Sequence, residues 1–179
     1  TGKTSFELNE KNDISVSGYY GRDVFMFDAL QGFNSGNLTG TIHWNHRYNK
    51  RLLSDYSFYY SLYDYGFSFG ENEREKFTWD SRIRTLHVKP EYTWFLHHNN
   101  TLEFGTELIH YAFDPAHATT VNQGMEVDIS LDKRQALEAS VYAAHEVSLN
   151  GKWSVYYGLR FSHFNYMGGT IYHYGDTLL

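Results

Sequence analysis

Between residues 85 and 96 the chain alternates. Leu86, Val88, Pro90, Tyr92, Trp94 and Leu96 fall on one side, and Thr85, His87, Lys89, Glu91 and Thr93 on the other. A repeat of two is the period of a β-strand with one apolar face. Residues 38–48 split the same way, with Leu38, Gly40, Ile42, Trp44 and Tyr48 against Thr39, Thr41, His43, Asn45 and Arg47, and with His46 as a polar intruder on the apolar side. Further alternating stretches cover residues 52–69, 102–108, 137–148 and 153–162, and less regular ones cover 3–9 and 14–27. The pattern predicts eight strands and an all-β fold.

The connections differ in length in a regular way. Short turns fall at residues 9–13, 49–51, 97–100 and 150–152, the last containing the Asn150-Gly151 pair favoured in tight hairpins. Longer polar stretches at 28–35, 70–78 and 114–133 read as loops at the opposite end. Short turns at one rim and long loops at the other predict an antiparallel up-and-down sheet, as in outer-membrane barrels with short periplasmic turns and long external loops. A soluble sandwich would show Greek-key connections instead.

Composition narrows the function classes. With 15 Lys and Arg against 21 Asp and Glu, the 179-residue chain carries a net charge of -6, which argues against nucleic-acid binding. The absence of Cys removes disulfide scaffolds, thiolate-held zinc and thiol catalysis. No apolar run approaches the roughly 20 residues of a membrane helix. Strands that alternate are hydrophilic on average, so a membrane β-barrel stays open. Aromatic residues make up 18% of the chain, and Trp44, Tyr48, Tyr92, Trp94 and Trp153 all stand on the apolar side close to a short turn, where an interfacial girdle is expected.

Catalytic and metal chemistry finds little support. Three residues along a strand put His43 and His46 on opposite faces, so they do not share a metal, and His97-His98 lacks zinc-site spacing. Glu103 and Glu107 share a face but stand about 13 Å apart, too far for a glycosidase pair. Nucleophile-elbow and phosphate-loop motifs are absent, and no cofactor is called for.

The stretch from Tyr142 to Phe161 resembles a barrel hairpin of TonB-dependent outer-membrane receptors: Tyr142, Glu146, Leu149, Trp153, Gly158, Leu159, Arg160 and Phe161 match the family pattern, while His145 stands where an acidic or amide residue is commoner. Residues 8–23 are similar to the family's hairpins in style. The resemblance implies a 22-stranded transmembrane β-barrel with an N-terminal plug, in the outer membrane of a Gram-negative bacterium. It implies nutrient uptake without catalysis, the ligand being a small molecule such as a siderophore or haem, a glycan or a peptide. The partners implied are outer-membrane lipid, the TonB complex acting through the plug, and a surface lipoprotein. At about 22 residues per strand and connection, 22 strands take roughly 480 residues. The expectation is therefore that residues 1–179 form part of the barrel domain of a larger receptor, with no plug among them and no terminal aromatic in the final Asp176-to-Leu179 stretch.

In a wide barrel, inward aromatic residues near the long-loop rim face water. Aromatic rings stack on flat or apolar ligands and Arg pairs with carboxylates. The ligand-binding candidates are thus Tyr59, Tyr63, Tyr65, Phe67, Arg82, Arg84, Tyr111 and Phe113, with Phe69 and Trp79 in the same cluster. The alternative for each is packing against the lumen or plug. Arg82 and Arg84 share the parity of Leu86, so only a bulge or emergence beyond the bilayer would free them to meet ligand. Two other functions compete: a small structural or adhesive barrel acting through its loops, and an outer-membrane hydrolase.

Overall fold

The computed structural model describes residues 1–28, 30–72 and 74–168. They form one antiparallel sheet: β1 (Gly2–Asn9), β2 (Asn12–Asp28), β3 (Gln31–Arg47), β4 (Leu52–Asn72), β5 (Glu75–His97), β6 (Asn100–Asn122), β7 (Met125–Ser130), β8 (Arg134–Asn150) and β9 (Trp153–Met167). Each strand pairs with the next, except that β6 shares its length, with residues 100–113 against β8 and residues 117–122 against β7. The fold is therefore all-β and up-and-down, and the sheet is open between β1 and β9. Among the described residues no segment is helical.

Among the described residues nine strands stand where the alternation predicted eight. The stretches expected as long loops are mostly strand. Residues 31–35, 70–72, 75–78, 114–122 and 125–130 continue the ladders, and the β6–β7 turn is just Gln123 and Gly124. Both residues have positive φ, 51° and 80°, the geometry of a type I′ hairpin. Asn residues close four other hairpins. The Oδ1 atoms of Asn9, Asn49, Asn72 and Asn150 accept backbone N–H groups two residues on, from Lys11 (3.0 Å), Arg51 (2.8 Å), Arg74 (2.9 Å) and Lys152 (3.0 Å). This is the local bond that makes Asn a turn residue. The Asp176-to-Leu179 stretch lies outside the described residues.

Directly opposed residues on neighbouring strands share a face, so the register sorts every side chain. Near the turns at residues 10–11, 48–51, 98–99 and 151–152, hereafter the near half, one face carries Ile14, Val16, Leu38, Ile42, Trp44, Phe58, Tyr60, Leu86, Val88, Leu108, Val141, Leu159 and Phe161. An aromatic row crosses its lower edge. Trp44 stacks on Tyr56 at 4.9 Å, Tyr56 meets Tyr92 edge-on at 6.0 Å, and Tyr92 stacks on Phe104 at 5.3 Å. His46 is accommodated there by Asn12, whose Oδ1 lies 2.7 Å from His46 Nδ1 and accepts from Trp44 Nε1 at 3.1 Å.

Among the described residues this single layer has no conventional core. The buried apolar residues are Ala116, Ala118 and Ala136, and no large side chain is fully buried, whereas Leu159 is 87% exposed. A water-soluble chain of this size buries Leu, Ile, Val and Phe. Exposed apolar surface on this scale needs a second layer or an apolar solvent.

Both prolines sit where the ladder is broken. At Pro115 and Ala116 β6 takes an extra residue, because Asp80 pairs His117 while Arg82 pairs Asp114. This is a β-bulge, and a residue without an N–H fits it. Pro90 pairs with Tyr56 in β4, but toward β6 the ladder skips Lys89 and Pro90. Opposite that gap Gly105 is close to the Pro90 carbonyl, and a methyl group there would stand 2.6 Å from that oxygen. Gly105→Ala is expected to destabilise the sheet by about 1 to 2 kcal/mol through overpacking. A chemical-denaturation midpoint equal to wild type would contradict that contact.

Candidate functional site

Past the middle of the strands the two faces exchange character. On the face that is polar in the near half, the far half presents a lateral row in which Phe25, Phe33, Phe67, Trp79, Ala118 and Ile129 are neighbours on six adjacent strands. At the usual strand spacing of about 4.8 Å the row is about 24 Å wide. The next row adds Phe69, Phe77 and Val127. Phe67 is the hub. It stacks on Trp79 at 5.9 Å with ring planes 7° apart, and lies 6.0 Å from Phe77 and 5.6 Å from Phe69.

The structure brings six of the predicted residues together on this face. Tyr63 and Phe113 flank Ile83 in one row, Tyr111 stacks on Phe113 at 6.0 Å, Tyr65 lies 6.1 Å from Tyr63, and Tyr59 stands lowest, opposite Thr41 and His87. Arg82 and Arg84 are on the opposite face. The bulge that would turn them inward lies in β6, while β5 runs in unbroken register against β4 from residue 76 to residue 94.

Below the aromatic rows the same face is polar and cross-linked between strands. Glu107 lies 2.8 Å from His87 Nε2, and accepts from Ser140 Oγ at 3.4 Å and from the Arg160 guanidinium. Glu91 meets Lys89 Nζ at 2.8 Å and accepts from the Tyr142 hydroxyl, whose ring centroid is 5.6 Å from Lys89 Nζ and 5.7 Å from Arg160 Cζ. Glu103 accepts from Tyr156 at 3.2 Å. Every carboxylate in this group is engaged by a cation or a hydroxyl, so the arrangement is cross-strand bracing rather than an acid–base pair. His43 bonds Ser57 Oγ at 3.0 Å, on the face opposite His46. Among the described residues no three His, Asp or Glu side chains converge as metal ligands.

Sequence reasoning passed over Phe25, Phe33, Phe77 and Ile129. The signal that finds them is a second alternation of opposite phase, with aromatic residues at odd positions from Tyr63 to Phe69 following apolar residues at even positions from Leu52 to Leu62. Chemically the far half offers flat stacking surface with little charge, above a floor of paired ions. No protein-family model matches the chain, and no curated protein matches its sequence.

Proposed function

We propose that this chain forms part of the wall of an outer-membrane β-barrel, of the TonB-dependent receptor type, that binds a nutrient at its external end and imports it with TonB-derived energy. The carrying observation is the near half of the sheet. There a sheet with no large side chain fully buried among the described residues carries one apolar face, edged by the Trp44, Tyr56, Tyr92 and Phe104 row. From Leu52 to Leu62 this band rises about ten residues, or about 33 Å at 3.3 Å per residue, and a typical strand tilt near 40° brings that to about 25 Å. That is the height of the apolar belt of an outer-membrane barrel. The opposite face, with His87, Lys89, Glu91, Glu107, Tyr142 and Arg160, suits a hydrated lumen, and the far aromatic rows suit a ligand vestibule.

In this reading the far turns are external and the near turns periplasmic. Epitope tags inserted at Asn72 and Asn122 should be labelled on intact cells, whereas one at Asn150 should need permeabilisation. Nutrient uptake should stop when the proton-motive force is collapsed while surface binding persists. Uptake that continues at full rate without that force would mean a passive channel. A native mass equal to this chain alone would favour the small structural or adhesive barrel.

A further inference from the structure

The face that is apolar in the near half carries a different surface in the far half. On β3 and β4 it is floored by Gly32, Gly36 and Gly66, all buried. Asp64 and Asp80 lie flat beside this floor: a methyl group at Gly36 would stand 2.8 Å from Asp64 Oδ1, and one at Gly66 would stand 2.6 Å from Asp80 Oδ1. The floor is walled by Arg22 on β2 and Arg82 on β5, three strand spacings or about 14 Å apart. A cleft of about 390 Å³ opens between them, extending to Ser81, Asp114 and His117.

The charges here are mostly unspent within the described residues. Arg22 reaches only the Asn34 amide oxygen, at 3.4 Å, and the exposed Arg82 and Arg84 make no ion pair or side-chain hydrogen bond. Asp64 and Asp80 likewise have no cation within salt-bridge distance, although Asp114 is held by Lys133 at 3.3 Å. Three guanidinium groups, two without partners and one bonded only to an amide oxygen, match phosphate oxygens, which they bind in a forked geometry. Two free carboxylates at the same place match hydroxyl or amine donors. A smooth glycine floor admits a flat sugar ring. The cleft also begins one row past Leu38, Leu62 and Arg84, at the upper edge of the apolar band.

We propose that Arg22, Arg82, Arg84, Asp64 and Asp80 form an external docking surface for the phosphorylated sugar headgroup of an outer-leaflet glycolipid. The inference rests on the membrane reading above, which places this row at headgroup level. It assigns Arg82 and Arg84 to the lipid side of the wall, and it accounts for charged residues directly above an apolar belt.

The test uses the full-length protein purified from outer membranes in mild detergent. Bound lipid is counted by native mass spectrometry, and the melting temperature is followed on adding a diphosphorylated glucosamine lipid, its dephosphorylated form, or inorganic phosphate. We expect the phosphorylated lipid alone to raise the melting temperature. The triple variant Arg22→Gln, Arg82→Gln, Arg84→Gln should lose at least tenfold in lipid occupancy, while Lys152→Gln at the near rim retains it. Equal occupancy in the triple variant, or equal stabilisation by the dephosphorylated lipid or by inorganic phosphate, would overturn the proposal and leave the membrane reading standing. If the triple variant does not fold, the comparison of the three ligands on the wild-type protein decides. A wild-type protein that does not enter lipid vesicles overturns both.

Discussion

Val88→Arg is expected to lower the free energy of folding into lipid vesicles by about 2 to 4 kcal/mol, the range for a cation at the mid-depth of a barrel's lipid face. Val88 stands between Phe58 and Leu108 in the middle of the near-half apolar face, with Leu86 and Pro90 above and below on its own strand. In the proposed membrane setting a guanidinium there has no partner within the band and is too deep to reach water. Leu159→Arg on β9 should behave alike. His87→Arg changes the neighbouring residue and the opposite face, where the Glu107 carboxylate stands 2.8 Å from the His87 imidazole. A cation at residue 87 keeps that pairing, so folding should be close to wild type. The measurement is reversible urea unfolding in vesicles. Equal losses at residues 87 and 88 would sink the assignment of one face to lipid and the other to water.

Removing the aromatic hub should act on ligand rather than on folding. Phe67→Ala deletes the ring that touches Trp79, Phe77 and Phe69 together, and Tyr63→Ala removes the ring two rows below. If each stacks on bound nutrient, either change should weaken binding by about 1 to 3 kcal/mol, by analogy with stacking of bases on aromatic side chains. That corresponds to about 5-fold to 150-fold in affinity. Arg82→Gln, pointing the other way, should leave nutrient affinity unchanged. The readout is the concentration dependence of uptake of the labelled nutrient in cells that rely on this protein. A large loss with Arg82→Gln and none with Phe67→Ala would move the ligand to the other face of the sheet.

Much of the near half was legible because one face there is apolar and the other polar, so composition oscillates with the pleat. The faces of Leu86 to Leu96, of Leu38 to Trp44 and of Leu102 to Leu108 come directly from that oscillation. The far half was misread as loops for two physical reasons. The phase of the oscillation reverses, so in the stretch read as a loop Lys76 and Thr78 occupy the positions where apolar residues are expected and Phe77 the position where a polar one is. The bulge at Pro115 and Ala116 then shifts the parity of β6 by one residue. Turn chemistry carried more information than loop length. Asn9, Asn49, Asn72 and Asn150 mark hairpins at both rims, and the one at Asn72 lies within a stretch taken for a long connection. The candidate residues were found by residue type and strand parity, and parity alone separated Arg82 and Arg84 from the aromatic six.

The reversal of polarity within each long strand restricts how neighbouring strands can be threaded together. An ordinary amphipathic sheet is protected against a slip of one residue by a single mismatch, because one apolar set turns to the wrong side. Here the same slip fails twice, since it would carry the Phe58 and Val88 rows and the Phe67 and Trp79 rows to the wrong faces in one movement. A slip of two residues keeps the faces correct but moves the glycine clearances: Gly105 leaves the Pro90 carbonyl, and Gly36 and Gly66 leave the carboxylates of Asp64 and Asp80, so bulkier residues take their places. The hairpins from β3 to β6 therefore each have one alignment that satisfies both ends and the clearances between them, which is a strong proofreading condition for strands so similar to one another.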